Sequence, residues 1–391
     1  MQWSGTGSNG GLNAISPLHK LLLLSLCCCW FRAAFCNRTF CTVRAEKFLP
    51  QGAFTMDETP DLFEWAEQQR KTVEASECAA PSAVEENIEI CDNRPVVLID
   101  ALSQIFRSFY AIRQLNNHRG EPVNALYLMT KLLLQMEKDH SGCRGALLFD
   151  SGKVAFRLEL LPEYKANRPP MPEDLQRQMP RIEEMAQAFG WPLIKVENYE
   201  ADDLIGAFAV NLTGPVFIVT GDKDLSSLVN EQVHLLKPAR SGGGFQECGP
   251  EEVLRDFGVV PELIPDYLAL LGDSVDNIDG VPGIGAKSAV ELLKNYGPAD
   301  SWYDEAGVFK FPESKFAAKL QGKQPLIKRN LGLTRLKCQL PEAYADCAAV
   351  LDKKEPDWQK IANMCADNDF KSLLKELPVA PEEVKRENEL F

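Results

Sequence analysis

The chain has 391 residues, with 42 Lys and Arg against 56 Asp and Glu, a formal net charge of −14 and 45% apolar residues. That is an ordinary globular composition with length for two domains. Its 25 prolines, 26 glycines and lack of any compositional repeat exclude a collagenous, solenoid or wholly disordered chain. The acidic excess weighs against a broad phosphate-binding surface, although the placement of charge matters more than its sum. Residues 1–55 carry +4, which leaves −18 on residues 56–391. Five of the twelve cysteines (Cys27, Cys28, Cys29, Cys36 and Cys41) lie in that same leading segment, and the other seven are scattered with no C-x-x-C pair. Neither a disulfide framework nor a thiolate zinc site is suggested. The four histidines are far apart in sequence, so any catalysis is expected to rest on carboxylates.

In chain order, the first feature is the apolar run Leu21–Phe31. Its eleven residues are too few to span a bilayer, which takes about 20. The run fits a signal-peptide core after Lys20, an acid-poor organellar presequence, or an over-extended start ahead of Met56. Residues 1–94 are therefore assigned to a presequence, a mis-assigned start or a disordered lead-in. A start at Met56 implies a cytoplasmic, nucleoid-associated protein, and a real presequence implies an organellar or exported one.

From Pro95 the pattern changes. Val96-Val97-Leu98-Ile99 is a continuous, β-branched apolar run, as in a strand buried on both faces of a parallel sheet. Ala125, Leu128, Met129, Leu132, Leu133 and Met136 follow with helical spacing. Next come a strand at Ala146–Phe149, a helix over 173–189, a short strand at Leu193–Val196, a helix over 201–210 and a strand at Val216–Val219. Strands alternating with helices predict an α/β domain over 95–248 with a mostly parallel central sheet flanked by helices. After Gly249 the strands stop, and short helices punctuated by Gly and Pro predict a second, helical region over 249–391.

Three of the predicted strands run into aspartate: at Asp100, at Asp150, and through Gly221 to Asp222 and Asp224. In open parallel sheets, sites form beyond the carboxyl ends of the strands. A single aspartate there is more often a turn or helix cap, but three of them converge on one sheet edge. Glu200, Asp202 and Asp203 open the 201–210 helix, and Asp273 and Asp276 stand three apart in Gly272–Asn277. So many acids without histidine call for cations, and an all-oxygen ligand set suits Mg²⁺ or Mn²⁺ rather than zinc. Two such ions roughly 4 Å apart form the clamp used for phosphodiester displacement. Two other signatures fail. Asp222–Ser226 starts like an EF-hand loop, but Ser227 stands at its glycine position and Val233 at its closing Glu. Gly280–Ser288 approaches a P-loop, but Ala286 separates the glycine from the lysine.

The motifs in order are Val97-Leu98-Ile99-Asp100, Phe149-Asp150, Tyr164-Lys165-Ala166-Asn167-Arg168-Pro169-Pro170-Met171-Pro172, Glu200–Gly206, Thr220–Asp224, Gly272–Ile278 and Gly280–Gly285. As an ordered set over roughly residues 95–380, they resemble the 5′-nuclease family: the 5′→3′ exonuclease domain of bacterial DNA polymerase I and related flap endonucleases. The resemblance implies a Rossmann-like, PIN-like catalytic fold with a C-terminal helix–hairpin–helix region. It implies two Mg²⁺ ions, with Mn²⁺ as a substitute. One is expected near Asp100, Asp150, Glu200, Asp202 and Asp203, the other near Asp222, Asp224, Asp273 and Asp276. It also implies that Lys165 and Arg168 reach the scissile phosphate from a helical arch and that Tyr164 stacks on a displaced base. Arg107 on the first helix, with Gly283, Gly285 and Lys287 of the hairpin, would contact DNA, and the hairpin would hold a K⁺ ion. Ala101 departs from the glycine common at that position and tightens the turn after Asp100.

The expectation is a stand-alone, monomeric 5′→3′ exonuclease or flap endonuclease with no membrane partner. Its substrates would be flapped, nicked or gapped DNA and RNA–DNA primer junctions, in primer removal and repair. The alternatives are a metal-dependent RNA nuclease without flap specificity and a non-catalytic junction-binding protein. Residues 301–337 carry a local +5, suited to a duplex backbone.

Overall fold

The computed structural model describes residues 94–152, 154–239 and 244–380; the expectations for residues 1–93 lie outside them. The apolar run after Pro95 forms β1 (Val96–Asp100), all five residues of which are buried. The helices α1 (Ala101–Ala111) and α2 (Asn124–Asp139) lead to β2 (Arg144–Phe149), also buried throughout. Then follow α3 (Ala155–Leu160), α4 (Glu173–Ala188), β3 (Leu193–Lys195), α5 (Ala201–Asn211) and β4 (Val216–Val219). The strands β5 (Val233–Pro238) and β6 (Phe245–Cys248) complete a six-stranded sheet in the order β3-β2-β1-β4-β5-β6. Every pairing is parallel except the last, β5 with β6.

Alternation along the buried strands divides the core in two. Val96, Leu98, Ala146, Leu148 and Ile218 face a layer that includes α5 and the C-terminal helices. Val97, Ile99, Leu147, Phe149 and Val219 face α1, α2 and α4. A continuous apolar run is thus read twice, once by each face, and the result is a three-layer α/β/α domain. The strand order reverses between β1 and β4, the place where open parallel sheets gather ligand-binding groups.

The second region holds α6 (Pro250–Phe257), α7 (Ile264–Leu271), α8 (Ala286–Tyr296) and α9 (Gln324–Thr334). Strands do not stop there altogether: two-residue strands β7 (Gly272–Asp273) and β8 (Ile278–Asp279) pair antiparallel and frame the turn that carries Asp276. With no residue to alternate, strands this short leave no periodic signal in the sequence. Gly272 adopts φ +76°, and a Cβ there would meet Gly280 N at 2.3 Å, so this turn closes only around glycine. The last helix with a full apolar face, α10 (Trp358–Asp367), returns to the first domain, where Ile361 and Cys365 join the core layer of α2 and α4. Among the described residues no helix is long and apolar enough to cross a membrane.

The central strands tolerate no added volume. A Cβ at Gly145 would lie 2.2 Å from the carbonyl oxygen of Val97 and 2.7 Å from the Trp191 ring. Overpacking of a close-packed core costs about 1–3 kcal/mol. Gly145→Ala is therefore expected to lower the unfolding free energy by that much, read as a lower urea midpoint at unchanged m value. A wild-type midpoint would contradict the tight packing of β1 on β2.

Candidate metal centre and phosphate site

Each acid reaches the sheet edge through its own local structure. Asp100 ends β1 and caps α1, accepting from Ser103 N at 3.3 Å, while Thr220 Oγ1, just past β4, donates to its other oxygen at 2.9 Å. This bond spans the point where the strand order reverses. Asp150 follows β2 and accepts from Ala201 N at 2.7 Å, so a carboxylate from one strand satisfies a free N–H at the start of α5. Glu200 and Asp202 belong to that same helix start. Asp222 and Asp224 follow β4, where Asp222 N donates to Thr220 Oγ1 and Asp224 N to Asp222 Oδ1. Asp273 and Asp276 come from the β7–β8 turn.

The result is a continuous acidic surface with two ends. At one, Asp100, Asp150 and Asp202 crowd Asp222; at the other, oxygens of Asp224, Asp273 and Asp276 all lie within 4.8 Å of one another. Asp222 also presses on Asp224, so it stands between the two expected groups rather than within one. Burial, with the like charges of Asp222 and Asp150, raises the Asp100 carboxyl to about 7. Asp224 is also raised to about 7, by burial and the Asp222 charge, and Asp202 is driven well up by burial and the charges of Asp100, Asp222 and Asp150. Asp273 goes the other way: a hydrogen bond and ion pair from Lys223 Nζ at 2.8 Å outweigh its burial.

These residues fit divalent cations. Asp224 Oδ1 is buried with no hydrogen-bond partner among the described residues, next to two further carboxylates. An all-carboxylate set of this kind suits a hard ion such as Mg²⁺ or Mn²⁺.

Cations already reach into the acids from the segment before α4. Lys165 Nζ lies 2.8 Å from Glu200 Oε1 and 4.0 Å from Asp276 Oδ2, and Arg168 Nη2 lies 2.6 Å from Asp276 Oδ1. Burial pulls the Lys165 ammonium down, but Glu200 and Asp276 outweigh it and its pKa rises. The segment is not the expected helix. Residues 162–167 form turns, with Lys165 at φ +54°, and helix resumes only at Glu173. Pro162, Pro169, Pro170 and Pro172 explain the departure, since proline lacks the N–H a helix needs and bars its predecessor from helical angles. The turn is docked instead: Lys165 N donates to Asp276 O at 3.0 Å, and Asn167 Nδ2 to Asn277 Oδ1 at 2.9 Å.

Two further expectations change. Tyr164, expected to stack on a base, is 6% exposed, and its hydroxyl donates to Glu200 Oε2 at 3.2 Å. Its ring packs with Ile278 and Leu333, so it braces the turn. Asp203 is held by donors of its own: Arg157 Nη1 and Nη2 donate to its two oxygens at 2.5 and 2.8 Å, and Lys337 N adds a third bond at 2.8 Å. Sequence reading missed Arg157, whose only trace is one basic residue within the apolar stretch of α3.

The expected DNA contacts lie apart from the acids. Arg107 is exposed about two turns along α1 from Asp100. Gly283, at φ +79°, and Gly285, which precedes α8, are exposed with Lys287 on the hairpin. Exposed Lys319 donates to the Gly283 carbonyl at 2.8 Å, so part of the 301–337 charge stands at the same hairpin.

Comparison with known proteins gives the lineage. Residues 95–258 match the family model "5′-3′ exonuclease, N-terminal resolvase-like domain", and residues 259–357 match "5′-3′ exonuclease, C-terminal SAM fold". The two meet at Gly258, whose φ of +76° ends α6. The chain is 33% identical to the 5′-3′ exonuclease of Aquifex aeolicus over 73% of its own length and 95% of that protein. It is 43% identical to DNA polymerase I of Pseudomonas aeruginosa over 52% of its length, a match that spans only 22% of the polymerase. The fold is that of the bacteriophage T5 D15 flap endonuclease in a pseudo-enzyme–product complex with DNA and metal ions, with a TM-score of 0.51, 23% identity, and coverage of 70% of this chain and 100% of that one. With both family models side by side over the whole acidic centre and the hairpin, the chain belongs to the 5′-3′ exonuclease family of nucleases.

Proposed function

We propose that the protein is a Mg²⁺-dependent 5′ nuclease that hydrolyses phosphodiester bonds in DNA at flaps, nicks and 5′ ends, including primer junctions in replication and repair. The observation that carries the reading is the gathering of carboxylates from three strand ends and the β7–β8 turn at one sheet edge, with a buried, unpartnered Asp224 oxygen at the end where Asp273 and Asp276 lie. Asp100, Asp150, Asp202, Asp222, Asp224, Asp273 and Asp276 would hold the ions, with Glu200 beside them. When bound, the ions supply an activated water and neutralise phosphate charge.

The rest is done by side chains of the chain. Lys165 and Arg168 are held at the acids by Glu200 and Asp276, within reach of any phosphate that enters. They provide positive charge where the transition state gathers negative charge. Tyr164, hydrogen-bonded to Glu200 and packed on Leu333, fixes the turn from which both cations project. The exposed hairpin glycines and Lys287 at the start of α8 offer N–H groups and charge to a duplex backbone away from the reacting bond.

A 5′-labelled flap duplex in Mg²⁺ should release short products, while single-stranded RNA of equal length should stay intact. Asp222→Ala should reduce cleavage to background, and Lys165→Ala should cost about 10²–10³-fold in kcat. Equal cleavage of the RNA would favour an RNA nuclease. Tight flap binding without turnover, or full activity of Asp222→Ala, would overturn the mechanism.

The raised carboxyls set a pH dependence. Their native pKa values lie above those of the unfolded chain, so without metal they are neutral in the native state between about pH 4 and 7 and must ionise in a crowded site above it. Their contribution to stability is therefore lost as pH rises through about 7. Ca²⁺, which binds only the ionised cluster, should raise the melting temperature more at pH 8 than at pH 5. An equal rise at both would show that these carboxyls do not bind the ion.

A further inference from the structure

Arg157 is among the largest side chains in the molecule with almost no exposure, at 2%, and it is charged. It sits on α3, the helix that leads into the turn carrying Lys165 and Arg168. Its Nη1 stands between two acids, 2.5 Å from Asp203 Oδ2 and 3.0 Å from Glu200 Oε2, while Nη2 takes the second Asp203 oxygen. Its Nε reaches the Leu333 carbonyl at 3.4 Å near the end of α9, and Asp203 itself accepts from Lys337 N beyond that helix. One guanidinium therefore joins the foot of the phosphate-binding turn, the acidic start of α5 and the end of α9.

The chemistry suits arginine specifically. A planar fork fills both oxygens of one carboxylate and still presents an edge to a second, which a lysine ammonium cannot do in a fixed geometry. Removing either charge alone would leave the other buried and uncompensated. Asp203 has three donors on its two oxygens, so its charge answers Arg157. Glu200 has a different balance: Arg157 and Tyr164 hold Oε2, and the opposite oxygen accepts from Lys165 Nζ, which also lies 4.0 Å from Asp276 Oδ2.

We propose that Arg157 and Asp203 form a tether that positions Glu200 toward the divalent site and fixes the foot of the Lys165–Arg168 turn, with Asp203 acting as the counter-ion of Arg157 and not as a metal ligand. The inference rests on the proposed divalent site. It removes one of the nine acids from the expected ligand set and adds a positioning residue that the chemistry needs.

The test uses Ca²⁺ binding by calorimetry on the full chain, which reads the site without turnover, alongside melting temperature and the kcat and KM of flap cleavage in Mg²⁺. The double variant Arg157→Leu/Asp203→Leu removes both charges and should keep the fold, since a buried pair can be replaced by apolar side chains with little loss. It should bind as many Ca²⁺ ions as the wild type, but about 10–100-fold more weakly, with a similar fall in kcat and little change in KM. Arg157→Lys keeps the charge without the fork and should fall the same way, which preserves the test if the double variant does not fold. Asp203→Asn should leave the number of bound ions unchanged. Wild-type affinity and kcat in the double variant and in Arg157→Lys would overturn the tether. Loss of one ion in Asp203→Asn, but not in Arg157→Lys, would make Asp203 a ligand and overturn it too. If the wild type itself binds no Ca²⁺, the divalent reading falls first and the tether with it.

Discussion

Mutual repulsion among carboxylates brought out of water to one sheet edge is the constraint on which the rest of this structure depends. Eight acids from β1, β2, β4, the start of α5 and the β7–β8 turn form one surface, and burial raises Asp100 and Asp224 to about 7. A parallel sheet makes the gathering possible because its strands end side by side and the order reverses between β1 and β4. The polypeptide answers the repulsion with local donors. Thr220 and Ser103 serve Asp100, the α5 N-terminus serves Asp150, and Lys223 serves Asp273. Lys165 and Arg168 serve Glu200 and Asp276. The unpartnered oxygen of Asp224 marks where those donors run out.

That balance explains why the segment carrying Lys165 and Arg168 is a docked turn. A regular helix would satisfy its own backbone groups, whereas this turn places the Lys165 amide and the Glu163 carbonyl against the β7–β8 turn. The amide of Lys165 goes to the Asp276 carbonyl, and Asn277 Nδ2 reaches back to the Glu163 carbonyl. The left-handed angles at Lys165 and Asn277 are unfavourable for side chains with a Cβ and are held by these reciprocal contacts. The prolines keep the alternative from forming. Lys165, Arg168 and the acids they pair with are thus positioned by one set of interactions, in which Asp276 takes part through both its backbone and its side chain.

How much of this is legible in the sequence depends on the range of the interaction that decides each element. The strands β1, β2 and β4 read directly, because burial on both faces needs unbroken apolar runs, and the aspartates at their ends follow from the edge of a parallel sheet. The helix α2 reads from apolar spacing, and the ends of α4 and α5 fall within one residue of expectation. By contrast β5 and β6 do not: β5 carries His234 and ends on Pro238, and β6 is an edge strand with Gln246 and Glu247 exposed. Helix periodicity says nothing about α10 packing on the far face of the sheet, against α4 and the still more distant α2 in sequence. The turn at 162–167 departs from the helix that the resemblance implies, because a resemblance carries an element's role more readily than its backbone shape.

The case of Asp203 shows the same limit at a single residue. Sequence places Glu200, Asp202 and Asp203 together on the first turn of α5, and adjacency suggests one shared task. Helix geometry separates them: successive residues are about 100° apart around the axis, so Asp202 and Asp203 cannot face the same way. Asp202 turns toward Asp100 and Asp222, while Asp203 turns inward to Arg157, a residue 46 positions earlier. No local pattern announces that partnership, because a buried arginine is written in sequence like any solvent-facing one. Only the fold shows that its charge is held in place from two sides. An acid cluster on a helix start therefore has to be divided by face before ligands are assigned, and the inward member examined for the cation it neutralises.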